Sequence, residues 1–117
     1  QTPVKAEASD VSLLAALIQC EAGGESYEGK LAVGSVVLNR VGSSYFPNTI
    51  AGVIYQAGQF TPVASGRFAS VLASGADSNC VQAAQEVLGG NITNNFLYFR
   101  RNNGDIPGTV IGNHVFY

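Results

Sequence analysis

The sequence predicts an α+β domain, mostly helical, with a short antiparallel β element at its C-terminal end. Three observations carry this. Apolar residues recur at helical spacing in the first half, at Val11, Leu14, Ala15 and Ile18 and again from Leu31 to Val41. The tail changes to short β-like runs at residues 96–99, 110–111 and 115–117, with Asn102-Asn103-Gly104 as a turn signal. Helices followed by strands over only 117 residues suit one core rather than two.

Residues 1–8 read as an N-terminal arm, and residues 9–117 as a single domain without repeat or linker. Ser9 or Asp10 caps the first helix, which stops near Glu21-Ala22, where Gly23 and Gly24 supply terminating chemistry. Ser26 caps a second helix, with Glu28 in its first turn. Its residues from Leu31 to Val41 leave hardly any polar face, the mark of a buried central helix. Pro47-Asn48 breaks the chain, and Thr49 opens a short helix through Ile54. Residues 56–75, rich in Gly, Ser and Ala, read as irregular with one helical turn near Arg67–Leu72. Asp77 or Ser78 caps a last helix running to Leu88, which Gly89-Gly90 ends.

Composition excludes several classes. Charged residues are 12% of the chain, and the net charge is -2. Six Lys and Arg cannot build the broad basic face of a nucleic-acid binder. Two Cys and one His fall short of a structural zinc site. No apolar run reaches the roughly 20 residues that span a bilayer. The chain opens at Gln1 and contains no Met, which predicts a processed form whose targeting segment has been removed. Cys20 and Cys80 are either one disulfide or two small buried hydrophobes, and a neutral polar surface favours the disulfide of an exported protein. Such a bridge would stabilise by about 4 kcal/mol. A catalytic Cys–His pair with His114 lacks any activating context.

Glu21 is the unusual acid. It ends an apolar helix, where the negative end of the dipole and desolvation both raise a carboxyl pKa. That is what a general acid needs at neutral pH. Two glycines beside it leave room for a bulky substrate. Glu25 fits a role in the glycine turn or in orienting Glu21. Asp10, Glu28 and Asp77 have bland positions at helix starts, and Asp105 lies in a turn. Arg100 and Arg101 read as a solvated strand face, with stem-peptide carboxylates as the functional alternative.

Read together, the residues match a family. Glu21-Ala22-Gly23-Gly24-Glu25-Ser26-Tyr27-Glu28-Gly29-Lys30 runs into Ala32-Val33-Gly34-Ser35-Val36-Val37-Leu38-Asn39-Arg40-Val41. Phe46-Pro47-Asn48-Thr49-Ile50, Gln59-Phe60-Thr61-Pro62-Val63 and the closing Ile111-Gly112-Asn113-His114 follow. The chain resembles the SleB/CwlJ cell-wall hydrolase family over residues 10 to 117. The resemblance implies a small lysozyme-like domain that cleaves peptidoglycan glycan strands, with family members acting as lytic transglycosylases on cortex rich in muramic δ-lactam. It carries the acid role to Glu21 and supporting or substrate-binding roles to Glu25, Gln59, Phe60, Asn113 and His114. Tyr98 is a further candidate sugar-stacking aromatic. A Cys20–Cys80 bond would anchor the end of the first helix and hold Glu21 in place. The stretch between Phe60 and Asp77 is poor in the aromatics expected of the cortex-specific subgroup.

Ordinary glycoside hydrolysis uses two carboxylates. A lytic transglycosylase manages with one, because the substrate's own C6 hydroxyl attacks intramolecularly. No metal or organic cofactor is needed. A hydrolase would require a second carboxylate, with Glu25 the first candidate. A non-catalytic peptidoglycan-binding module fits poorly with retention of the whole Glu21–Glu25 motif. The expectation is thus a monomeric enzyme acting on peptidoglycan, with no nucleic-acid partner and no membrane span, exported to the cell wall or the spore cortex and coat.

Overall fold

A computed structural model describes residues 8–117, with side chains from Asp10 onward. The expected N-terminal arm lies outside the described residues except for Ala8, which already belongs to the first helix. Six helices come first: α1 (Ala8–Ala22), α2 (Tyr27–Val41), α3 (Ile50–Ile54), α4 (Thr61–Ser65), α5 (Arg67–Ser74) and α6 (Ser78–Leu88). Three strands follow, β1 (Phe99–Arg101), β2 (Thr109–Ile111) and β3 (His114–Phe116). They form one antiparallel sheet in the order β1-β3-β2. The α+β class read from the sequence is the observed one.

α2 is the central helix. Ser26 caps it by accepting from the Gly29 backbone N–H at 3.2 Å. Ala32, Val33, Val36, Val37 and Leu38 are buried and pack with Leu14, Leu17 and Ile18 of α1 and Ala84, Val87 and Leu88 of α6. Close approach of these three helices requires Gly34. A Cβ there would stand 3.1 Å from Val87 Cγ2 and 3.2 Å from Ile18 Cδ1. Such contacts are tight, and the neighbouring side chains would have to shift by a few tenths of an ångström to admit the Cβ.

α2 also carries a narrow polar stripe that its apolar sequence hides. Ser35 Oγ donates to Leu31 O at 2.8 Å and accepts from Thr93 N at 2.9 Å. One turn on, Asn39 Nδ2 donates to the carbonyls of Asn94 and Phe96, each at 2.9 Å. Arg40 Nε donates to Leu97 O at 2.7 Å. Residues 93–96 are thus held by α2 side chains rather than by a ladder. This shortens the strand expected at residues 96–99: reciprocal backbone bonding starts at Tyr98, which exchanges N–H···O bonds of 2.9 and 3.0 Å with Tyr117, and the ladder continues with Phe99 facing Phe116.

The stretch expected to be irregular, residues 56–75, contains two helices. Pro62 occupies the first turn of α4, where its missing N–H costs nothing. Gly66, at φ 88°, ends α4 and starts α5. Phe68 anchors the pair in the core, edge-on to Tyr55 with ring centroids 5.6 Å apart. The small residues permit a sharp corner rather than preventing helix. Thr49 caps α3 as expected, accepting from Gly52 N at 2.9 Å. Asp77 sits at the cap position of α6 but makes no side-chain cap bond.

Candidate active site

Glu21 lies in the last turn of α1 and is half-buried. Two depressions meet at it. One, of about 490 Å³, is lined by Gln19, Gly23, Gly24, Glu25, Arg67, Asp77 and Asn113. The other, of about 430 Å³, is lined by Gln59, Thr61, Phe99 and Arg100. Cys20, Glu21, Arg101 and His114 border both. The arrangement is a groove with one carboxyl at its middle.

Burial raises the Glu21 pKa above the usual carboxyl value, and the nearby Arg67 guanidinium opposes this in part. Removing water disfavours the anion, so Glu21 is prepared to hold a proton and release it to a substrate atom.

The turn after Glu21 is fixed from two sides. Buried Lys30 reaches back from α2 and donates to Glu25 O at 2.6 Å. The Glu25 carboxylate accepts from Asn113 twice, from N to Oε1 and from Nδ2 to Oε2, each at 2.9 Å. These hydrogen bonds, backbone first, hold the Glu25 pKa below the ordinary carboxylate range. Glu25 is therefore an anion tied to the β2–β3 hairpin. Gly112 and Asn113 form the two-residue loop between Ile111 and His114, which pair across it. Gly112 is at φ 59°, the glycine position of a tight II′-type hairpin turn. A Cβ there would collide with Glu25 Oε1.

His114 is the first residue of β3 and is only 9% exposed. It packs edge-on to Phe99, with ring centroids 5.5 Å apart. Burial lowers its pKa, with Glu25 pulling upward and Arg101 downward, so the ring is neutral near pH 7. Its Nδ1 is buried without a hydrogen-bond partner.

Arg40 organises the wall behind the second depression. It is 4% exposed, and its guanidinium lies 4.8 Å from the Phe46 ring centroid and 5.3 Å from those of Phe60 and Tyr98. Its Nη1 donates to Gln59 Oε1 at 3.0 Å. Arginine is a donor only, so Gln59 must turn its oxygen to Arg40 and keep its Nε2 free to donate.

The sequence-predicted residues separate into groups. Glu21, Glu25, Gln59, Asn113 and His114 come together in the groove. Phe60 is buried beneath it, stacked on Phe99 with centroids 6.2 Å apart. Tyr98 is not among the groove-lining residues. It stacks on Tyr117, with centroids 5.4 Å apart, and packs against Arg40. The expected disulfide is absent: Cys20 and Cys80 are both free thiols. Their surroundings differ. Cys20 borders the groove with Arg67 as its charged neighbour, whereas Cys80 is fully buried on α6 with Lys30 and Asp77 as its charged neighbours. Burial raises the pKa of both thiols. Arg67 was hidden in the stretch read as irregular, and Gln19 and Thr61 carry no motif. Among the described residues no cluster of His, Cys, Asp and Glu could hold a metal ion, and no helix is long and apolar enough to cross a membrane.

Comparison with known proteins agrees with this fold. A family model described as Cell Wall Hydrolase matches residues 24–117, a segment that begins just after Glu21. A spore cortex-lytic enzyme of Bacillus subtilis is 49% identical over 59 residues, which are 50% of this chain and 19% of that protein. The cell wall hydrolase CwlJ of the same species is 39% identical over 69 residues, 56% of this chain and 49% of that protein. The chain thus spans about a fifth and a half of these two curated relatives. The solved catalytic domain of the germination-specific lytic transglycosylase SleB from Bacillus anthracis superposes with a TM-score of 0.81 at 31% identity, covering 98% of each chain.

Proposed function

The chain belongs to the cell wall hydrolase family, and from that premise we propose that residues 9–117 form a single catalytic domain, a peptidoglycan lytic transglycosylase with Glu21 as its acid and base. The observation that carries this is the half-buried Glu21 at the middle of the groove, its pKa raised by burial, while Glu25 is tied up by Asn113.

In this reading the protonated Glu21 donates to the glycosidic oxygen on the leaving side of a muramic residue. The C1–O bond breaks, and the developing positive charge at C1 is relieved by the substrate's own N-acetyl group. Glu21, now a carboxylate, takes the proton from the C6 hydroxyl of the same residue. The C6 oxygen bonds to C1, giving a 1,6-anhydro end and returning the proton to Glu21. The attack is intramolecular, so no activated water is required. Arg67 beside Glu21 stabilises the carboxylate between the two proton transfers. His114 and Asn113 form the wall that positions the sugar. The substrate places the site of action outside the cytoplasm, in the cell wall or the spore cortex.

One observation favours a hydrolytic alternative. Asp77 lines the same 490 Å³ depression as Glu21 and would have to serve as the base for a water. Glu21→Gln tests the shared premise: strand cleavage should fall by about 1,000-fold or more with binding retained. Full activity in that variant would remove Glu21 from the chemistry.

A further inference from the structure

The chain is acidic, with a net charge of -2, yet among the described residues the accessible positive charge gathers in one place. Among the described residues there are five Lys and Arg. Lys30 and Arg40 are 5% and 4% exposed and hydrogen-bond inward, to Glu25 O and to Leu97 O and Gln59. The other three, Arg67, Arg100 and Arg101, are exposed, and every one of them lines the groove at Glu21. Arginines scattered for solubility would not all fall on one groove of a protein with more acids than bases.

The charge is unevenly divided about Glu21. On the 490 Å³ side, Glu25 and Asp77 stand with Arg67 and Arg101, so the two signs balance. On the 430 Å³ side, Arg100 and Arg101 line the depression and Glu21 is its only acid. When Glu21 carries its proton, that side has two cations and no anion. The remaining polar groups there add donors: the Thr61 hydroxyl and the Gln59 Nε2 left free by Arg40. Arg101 is central, bordering both depressions and pairing across the sheet with His114. A guanidinium matches a carboxylate through paired N–H donors.

We propose that the depression between Glu21 and Arg100–Arg101 is an anion subsite for a carboxylate carried by the muramic residue, with Arg101 the specificity-determining side chain. This rests on the glycan-cleaving reading above and names the substrate class within it. Two groups supply that chemistry: the lactyl carboxylate of a muramic residue freed of its peptide, or a carboxylate of the stem peptide. A muramic δ-lactam has neither, because its lactyl carboxyl is closed onto the amino nitrogen at C2. The chain therefore selects carboxylate-bearing strands over lactam-rich cortex strands.

The test uses Glu21→Gln, which holds strands without cutting them, and four purified polymers. These are peptide-bearing strands, the same strands stripped by an amidase, stripped strands with the lactyl carboxyls converted to amides, and lactam-rich cortex strands. The expected result is binding at least tenfold tighter to a carboxylate-bearing polymer than to the amidated and lactam-rich ones. The tighter of the first two identifies the source of the carboxylate. Adding Arg101→Ala should erase the difference, and Arg101→Lys should keep part of it. Binding to both carboxylate-bearing polymers no tighter than to the amidated and lactam-rich ones overturns the proposal, as does a preference that survives Arg101→Ala. Arg101 is exposed, so an unchanged melting curve separates loss of the subsite from loss of the fold. Wild-type cleavage of all four polymers without discrimination overturns the subsite alone. Discrimination in binding with no cleavage of any polymer overturns the catalytic reading alone.

Discussion

Glu25→Ala probes the link between the end of α1 and the hairpin that walls the groove. The substitution removes two hydrogen bonds from Asn113, both at 2.9 Å, to a carboxylate. Bonds to a charged group contribute about 1.5–3 kcal/mol each where water is excluded. This pair is at the surface, where water replaces much of the loss, so the clamp amounts to about 2 kcal/mol in all. For a domain near this size that lowers Tm by about 6–10 °C. Glu25→Gln keeps one acceptor for the Asn113 backbone N–H and should lose about half as much. Catalysis should suffer through geometry. Asn113 and His114 share the hairpin, and a displacement near 1 Å costs kcat about 10–100-fold. The pH dependence has a definite sign. The folded-state pKa of Glu25 is depressed, so its stabilisation is present above the unfolded value of about 4.3 and is lost as pH falls through the folded value. The Tm gap between wild type and Glu25→Gln should be flat at neutral pH and close in acid. Thermal melts across pH, with single-turnover cleavage, read both effects. A clamp is refuted by variants that keep wild-type Tm and kcat. A single-acid site is refuted if both variants keep the wild-type Tm yet are as inactive as Glu21→Gln.

Three further outcomes follow from the same geometry. Gly112→Ala should destabilise by about 1–2 kcal/mol through its left-handed φ and the collision with Glu25, and the double variant Gly112→Ala/Glu25→Ala should lose less than the sum in thermal melts. Arg67→Ala removes the cation that lowers the Glu21 pKa, so the alkaline limb of kcat/KM, where Glu21 loses its proton, should move to higher pH; a limb that stays in place or moves to lower pH contradicts the pairing. Reducing agent should leave Tm unchanged because both cysteines are free, and thiol reagents should modify Cys20 before Cys80; a drop in Tm on reduction would show a disulfide.

Much of the fold was legible because local signals agreed with tertiary packing. Ser26 and Thr49 cap the helices their positions announce, and the unbroken apolar run of α2 marks the central helix. Where the sequence misled, long-range contacts outweighed local preference. Residues 96–97 have strand composition, but Asn39 and Arg40 claim their carbonyls from 57 positions away. Ser35 and Asn39, one turn apart, were the available signal for that polar stripe. Residues 61–74 look like loop because small residues dominate, yet one buried phenylalanine and a glycine corner suffice for two helices. At the site, a groove role for Arg101 was readable only as an alternative to a solvated strand face, and Asp77 and Arg67 carried no signal that they would line the groove. Glu21 and Glu25 belong to a dense ordered motif, whereas Arg67 and Arg101 reach the groove from elements separated in sequence. Tyr98 packs against Arg40 and Tyr117, contacts that its sequence position did not announce.

The central claim is that one carboxyl both gives and takes the proton and that no water attacks. Cleavage in water enriched in heavy oxygen, followed by mass spectrometry of the new muramic ends, addresses it directly. The single-acid reaction predicts 1,6-anhydro ends, lighter than reducing ends by one water and free of the heavy isotope. Reducing ends labelled at C1 would contradict it and would assign the second role to another carboxylate of the groove, with Asp77 the first to replace.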